Sequence, residues 1–268
     1  MTESWKERQE KLSAASAGPR KRGLTVLIGV GLLTVLGAVA VIGGFFLLRG
    51  DAPEEVSIED AVAAAEGPEG EDTADGDDGL GAEGLDGIWL LDAGDGVIDP
   101  NVDDPSASFV GFRVDEELKV GVVEAVGRTG AVSGSIKLDG SRLATAEITA
   151  DMTQIVSNES RRDGKIQGAL ATATFPTATF VLSEPVDFGS VPAEGTPVEV
   201  DASGDLTIHG VTNRVSVSLA GQLVQNQIVV VGRTEIVWAD YGVTPPSAPI
   251  VLGVSDSGLV ELQLIFSR

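Results

Sequence analysis

The chain has 268 residues, a formal net charge of −23, 34 glycines, one histidine and no cysteine. Without cysteine there is no disulfide, thiolate metal site or cysteine nucleophile, and a lone histidine excludes a multi-histidine metal centre. The acidic balance disfavours binding to nucleic acid phosphates, and it is uneven: residues 1–50 carry seven basic and three acidic side chains, residues 51–86 none and fourteen, and the remainder eleven and twenty-four.

Residues 1–22 form a basic tail that precedes twenty-six uncharged residues, 23–48. At 1.5 Å per residue such a helix exceeds the roughly 30 Å hydrocarbon core, which predicts a single transmembrane helix in the cytoplasmic membrane. Lys6, Arg8, Lys11, Arg20, Lys21 and Arg22 precede it, and only Arg49 follows before the acidic run. The positive-inside bias therefore predicts a cytoplasmic N-terminus and an extracytoplasmic C-terminal domain. The rival reading is a cleaved signal peptide, since Ala38-Val39-Ala40 has the small-x-small form; it lies inside the apolar run with eight more uncharged residues after it, so a retained anchor is expected.

Residues 49–86 read as an acidic disordered linker, because their Glu, Asp, Gly and Ala offer little apolar surface to offset the entropy of ordering. Asp75-Gly76-Asp77-Asp78-Gly79 suggests a calcium loop, but it fails the EF-hand spacing and lacks the closing glutamate, so it reads as solvated spacer. Asp99, Asp103 and Asp104 before Pro105 read the same way.

From Trp89 onward the chain is strand after strand. Val110, Phe112 and Val114 alternate with Phe109, Gly111 and Arg113; Val132, Gly134, Ile136 and Leu138 share a face, as do Ala146, Ile148, Ala150 and Met152. Residues 153–171 break the period and predict a short helical insert. Strand character resumes with Ala178, Phe180 and Leu182. The longest clean alternation then runs from Val198 to Leu223, with Val198, Val200, Ala202, Gly204, Leu206 and Ile208 on one face, and Val211, Val215, Val217, Leu219 and Leu223 returning on the same face. His209-Gly210 between them predicts a tight hairpin turn. Ile228, Val230, Ile236 and Trp238 make the next inward set, and the chain closes on Val260, Leu262, Leu264 and Phe266. About eight antiparallel strands result, enough to close an all-β barrel with room for one small ligand over residues 87–268.

In this order and spacing, Trp89-Leu90-Leu91-Asp92, Ser108-Phe109-Val110-Gly111-Phe112, Val132-Ser133-Gly134-Ser135-Ile136, Arg161-Arg162-Asp163, Phe175-Pro176-Thr177-Ala178-Thr179-Phe180, Gly204-Asp205-Leu206-Thr207-Ile208-His209-Gly210-Val211-Thr212 and Ala239-Asp240-Tyr241-Gly242 resemble the YceI family of lipid-binding-like domains. The resemblance implies an extended lipocalin-like antiparallel barrel, secreted or periplasmic, whose cavity holds a polyisoprenoid or similar long-chain amphiphile. Many members have a histidine soon after the first strand and a removable signal. Here Asp115-Glu116-Glu117 occupies that turn and the N-terminus reads as an anchor, which resembles a membrane-tethered, actinobacterial-type branch.

No catalytic residue stands out. His209 lacks partners for a triad, and Gly253-Val254-Ser255-Asp256-Ser257 lacks the second glycine of a nucleophile elbow. Arg161 and Arg162 could grip a ligand head group, or tie the helical insert to the barrel by a salt bridge. The inward faces supply the candidate lumen: Phe112, Ile148, Phe180, Val200, Leu206, Ile208, Val215, Val217, Leu219, Val230, Leu262 and Leu264. With few aromatics, such a barrel is expected to be under-filled near its glycines and alanines. The leading expectation is thus a membrane-tethered module binding an isoprenoid or fatty-chain lipid, with no cofactor, no metal, no nucleic acid and no identified protein partner. The alternative is a filled barrel serving as a structural or interaction domain of the cell envelope, and a hydrolase is the third.

Overall fold

A computed structural model describes residues 52–67, 84–119, 121–247, 249 and 251–268. The basic tail and the predicted span at residues 23–48 lie outside the described residues, and among the described residues no helix is long and apolar enough to cross a membrane.

Helix α1 (Ile58–Glu66) comes first, followed by strands β1 (Gly87–Asp92), β2 (Phe109–Leu118), β3 (Gly121–Thr129), β4 (Val132–Asp139) and β5 (Arg142–Asp151). A 3-10 turn (Met152–Gln154), β6 (Val156–Ser157) and helix α2 (Asp163–Ala169) form the insert. Then come β7 (Thr177–Leu182), β8 (Val186–Asp187), β9 (Val198–Ile208), β10 (Val211–Val224), β11 (Gln227–Val237), a second 3-10 turn (Trp238–Tyr241), β12 (Val251–Val254) and β13 (Ser257–Ser267).

The strand path β1-β4-β5-β7-β9-β10-β11-β13 closes into an eight-stranded antiparallel barrel because β13 returns to β1, pairing Leu91 with Phe266. The first half of β13 pairs instead with β2, where Val260 lies opposite Phe112, and β3 continues from β2. The period-two reading of the central hairpin sets its register: Val217 faces Ala202 and Leu219 faces Val200. His209 (φ 54°) and Gly210 (φ 74°) both take the left-handed backbone that a two-residue turn between right-twisted strands requires.

The acidic stretch expected to be wholly disordered is not so over residues 52–67. Ser57 accepts a hydrogen bond from the Asp60 amide and caps α1, with Glu59 and Asp60 against the positive end of the helix dipole. Buried Ala61 and Val62 pack on Val224, Val229 and Val231, which lie on the outer wall of β10 and β11. The composition argument fails here because so short an amphipathic helix needs only a stripe of small apolar residues, and an outer wall bearing valines completes the contact.

The same segment covers a buried ionic cluster. Arg113, Arg128 and Glu261 alternate outward on β2, β3 and β13, a pattern that suggests solvent, yet all three are buried. The Glu261 carboxylate accepts from Arg113 Nε and Arg128 Nε at 2.8 Å each. Both guanidiniums also donate to the Glu54 carbonyl, and Arg113 reaches Glu124 at 2.8 Å. Arg128 stacks 4.4 Å over the Phe109 ring. Burial works against the charge of Arg113, but hydrogen bonding and attraction from Glu261, then Glu124, outweigh it and raise its pKa above the ordinary value.

Residues 52–67 therefore belong to the folded unit. A chain beginning at Gly84 should still unfold cooperatively in urea, less stable than one beginning at Asp51 by about 2–4 kcal/mol for a few buried aliphatic side chains; equal stabilities would show that the segment adds nothing. Replacing Glu261 by Ala should cost about 3–5 kcal/mol in the same measurement, because it takes the close carboxylate from buried Arg128 and leaves Arg113 only Glu124.

Candidate functional site

Because successive strand side chains alternate, one face of each barrel strand points to the axis. That axis is hollow. Two chambers of about 120 and 110 Å³, measured to the centre of a water-sized sphere, share the lining residues Ile148, Phe180 and Leu262. A single water needs roughly 10–15 Å³ on that measure, so each is many times larger. The chambers adjoin at a waist formed by these three side chains.

The first chamber lies toward the β4-β5 and β10-β11 turns. Of the candidate lumen residues, Val200, Leu219, Val230 and Leu264 line it, together with Ile148, Phe180 and Leu262 of the waist. Leu85, Phe188 and Pro192 form its rim, and Thr196 and Gln222 are its polar side chains. The second chamber lies toward the β9-β10 turn and takes Phe112, Leu206, Ile208 and Val217. Val215 packs on the cluster at that end without lining either chamber.

The helical insert covers the second end. Met152, Ile155 and Leu170 line the chamber, and buried Ile166 joins the same cluster. Trp238, at the start of the second 3-10 turn, lines it as well and meets Phe112 edge to face at 5.8 Å. This turn is held by the hairpin: His209 Nδ1 lies 3.0 Å from the Tyr241 carbonyl, and Asn213 donates to the Asp240 carbonyl at 2.9 Å. His209 is thus a turn residue bonded to main chain, its ring against Phe175 at 5.1 Å.

The voids reach some of the positions where under-filling was expected: Ala146 and Gly221 line the first chamber, and Ala150 and Ala178 the second. Most inward glycines are covered by a neighbour: the Phe180 ring lies 2.2 Å from where a Gly204 Cβ would stand, and Trp238 lies 2.1 Å from that of Gly258. Glycine there makes room for an adjacent ring instead of leaving a gap.

The two candidate head-group arginines do not line the lumen. Arg162 donates to Glu116 at 3.0 Å and to Asn158 at 2.9 Å, clipping the start of α2 to β2, and Asp163 accepts from the Ser157 amide and hydroxyl. Arg161 is 79 % exposed beside Glu159. Lining residues missed by the periodic reading, Ile155, Leu170 and Phe188, sit on irregular segments where no alternation marks a face. Their only sequence signal is an isolated apolar residue within a polar stretch.

Polar side chains on the lining are few. Thr234 shares the inward face with Val260 but donates its hydroxyl to the Ser216 carbonyl at 2.9 Å. Glu261 touches the second chamber from a position whose side chain turns outward to the arginines. Tyr241 lines neither chamber but packs in the cluster at the second end, where its hydroxyl is buried without a hydrogen-bond partner. Burial pushes its pKa up, and the nearby Asn213 side chain offsets this only in part.

A family model for the YceI-like domain matches residues 102–266. A polyisoprenoid binding domain from Saccharophagus degradans, implicated in plant cell wall breakdown, aligns with a TM-score of 0.51 at 23 % identity, over 67 % of this chain and 98 % of its own. BcnA of Burkholderia cenocepacia gives 0.46 at 22 % identity, over 59 % and 95 %. A Campylobacter jejuni YceI protein gives 0.43 at 17 %, over 53 % and 84 %. No curated protein sequence matches the chain.

Tyr241→Phe should be neutral or stabilising by about 1 kcal/mol, since it removes a buried hydroxyl that satisfies nothing. A folded-state pKa raised above the unfolded value contributes stability that is present below about pH 10 and lost as pH rises through the folded value. Denaturation followed from pH 8 to 11 should therefore show a smaller alkaline loss in the variant than in the wild type, and identical profiles would remove Tyr241 from the account.

Proposed function

Since the chain belongs to the YceI-like domain family, we propose that its barrel holds a polyisoprenoid or other long-chain amphiphile, as a membrane-tethered binding module on the outer side of the cytoplasmic membrane. The observation that carries this reading is the pair of adjoining chambers, whose lining is aliphatic and aromatic apart from a few satisfied or peripheral polar groups. Left empty, cavities of this size forfeit on the order of 5 kcal/mol at about 24 cal/mol per Å³. Filled by a hydrocarbon chain, the same walls return about 0.8 kcal/mol per buried methylene, reduced by the cost of immobilising a flexible ligand. The shared fold with the Saccharophagus domain supports the same ligand class.

No charged side chain faces into the chambers, so a charged head group belongs at a rim. The first rim, near Thr196 and Gln222, offers hydrogen-bonding groups for one. The tether rests on the uncharged run at residues 23–48 and its basic flank.

Val217 faces the second chamber, while its neighbour Ser216 is exposed on the outer wall. In native mass spectrometry of a chain beginning at Asp51, purified from a lipid-rich host, the wild type and Ser216→Trp should both carry a long-chain lipid and Val217→Trp should carry none. If Val217→Trp unfolds, Leu262→Trp at the waist serves in its place. Lipid retained equally by all variants, or a wild type that emerges empty, would replace this reading with that of a filled-barrel interaction domain.

A further inference from the structure

The docked segment at residues 52–67 lies between the uncharged run and the barrel. On the reading that residues 23–48 anchor the chain, docking fixes how much free chain separates membrane and barrel. Only residues 49–52 intervene between the end of that run and buried Pro53, and four residues span at most about 14 Å. Were the segment released, the whole of residues 49–86 would intervene, and thirty-eight residues give a root-mean-square reach of about 35 Å and a contour near 130 Å.

Three features make the contact one that can open while the barrel stays folded. Helix α1 has nine residues, too few to hold a helix alone, and buries only Ala61 and Val62. The segment's side-chain ion pair with the barrel, Glu55 to Arg233 at 3.2 Å, is exposed and weak. At the ionic cluster the segment contributes a main-chain carbonyl, that of Glu54, and no charge. Release would let water replace that carbonyl, while Arg113 and Arg128 keep Glu261 and Arg113 keeps Glu124. No buried charge is stranded by opening, so opening carries none of the penalty of breaking a buried pair.

We infer that residues 52–67 form a reversible latch on the outer wall of β10, β11, β2 and β3 that switches the tether between a short and a long state. Latched, the barrel is confined to the membrane surface, where a long-chain lipid is taken up; unlatched, it reaches tens of ångströms into the envelope, where such a cargo is handed on.

The full chain, reconstituted in phosphatidylglycerol-phosphatidylcholine vesicles, tests this. The native chain has no cysteine, so Ser190→Cys and Thr212→Cys, both at exposed positions at opposite ends of the barrel, each accept a single donor dye. Energy transfer to an acceptor lipid should be efficient in the latched protein and fall by about half or more at both positions when Val62→Asp is added. Hydrogen exchange of the otherwise unaltered full chain should show the amides of residues 58–66 opening on the order of 100-fold more often than those of β9 and β10. Equal transfer with and without Val62→Asp in vesicle-bound protein, or exchange of residues 58–66 only with global unfolding, would overturn the latch. Failure of the chain to float with vesicles would overturn the anchor, and the switch with it.

Discussion

One carboxylate organises the wall on which the barrel closes. Glu261 sits on β13 where that strand pairs with β2, a few residues before it passes to β1. It has no exposure to water, so its charge is tolerable only because two guanidiniums reach it from β2 and β3. That convergence in turn dictates Gly111, opposite Glu261 in the register: a Cβ there would stand 2.4 Å from the Gly127 carbonyl oxygen and 2.8 Å from Arg128 Cγ. A small residue on one strand thus lets a long one on the next cross to its partner, and the covering segment completes the shell with a carbonyl.

The lumen is the inner surface of the same strands. Val110, Phe112, Val260 and Leu262 turn inward between the outward charges, so the strands that carry the ionic cluster also form chamber walls. A buried ionic network outside and an apolar cavity inside demand opposite things of alternate residues, and the two-residue period of the strand supplies both without conflict.

This division explains what could be read in advance. The β9-β10 hairpin was legible because each of its faces is chemically uniform, and the inward positions from Val198 to Leu223 fall where alternation puts them. The insert at residues 153–171 could be recognised as helical but not oriented, since Ile155 and Leu170 belong to no repeating pattern. The outward burial of Arg113, Arg128 and Glu261 was hidden because charge at an outward position ordinarily means water, and its cover comes from more than fifty residues earlier in a stretch whose composition resembles a spacer. The voids were legible only in part, at Ala146, Ala150, Ala178 and Gly221, because a glycine reports an absent side chain without saying which neighbouring ring fills the space, as Phe180 does over Gly204.

The near absence of polar groups along the lumen bears on how a guest would move through it. A hydrogen bond inside would register a ligand at one depth; walls of Leu, Ile, Val and Phe hold a chain by contact area alone and are almost indifferent to sliding by one carbon. Residence time is then set by the length of chain that must be drawn back into water, changing roughly fourfold for each methylene at about 0.8 kcal/mol. With a long-chain guest, such a cavity would behave as a ruler with graduations but no stops: it would grade guests by how much of them it can swallow, and release them smoothly wherever a second apolar surface meets the rim.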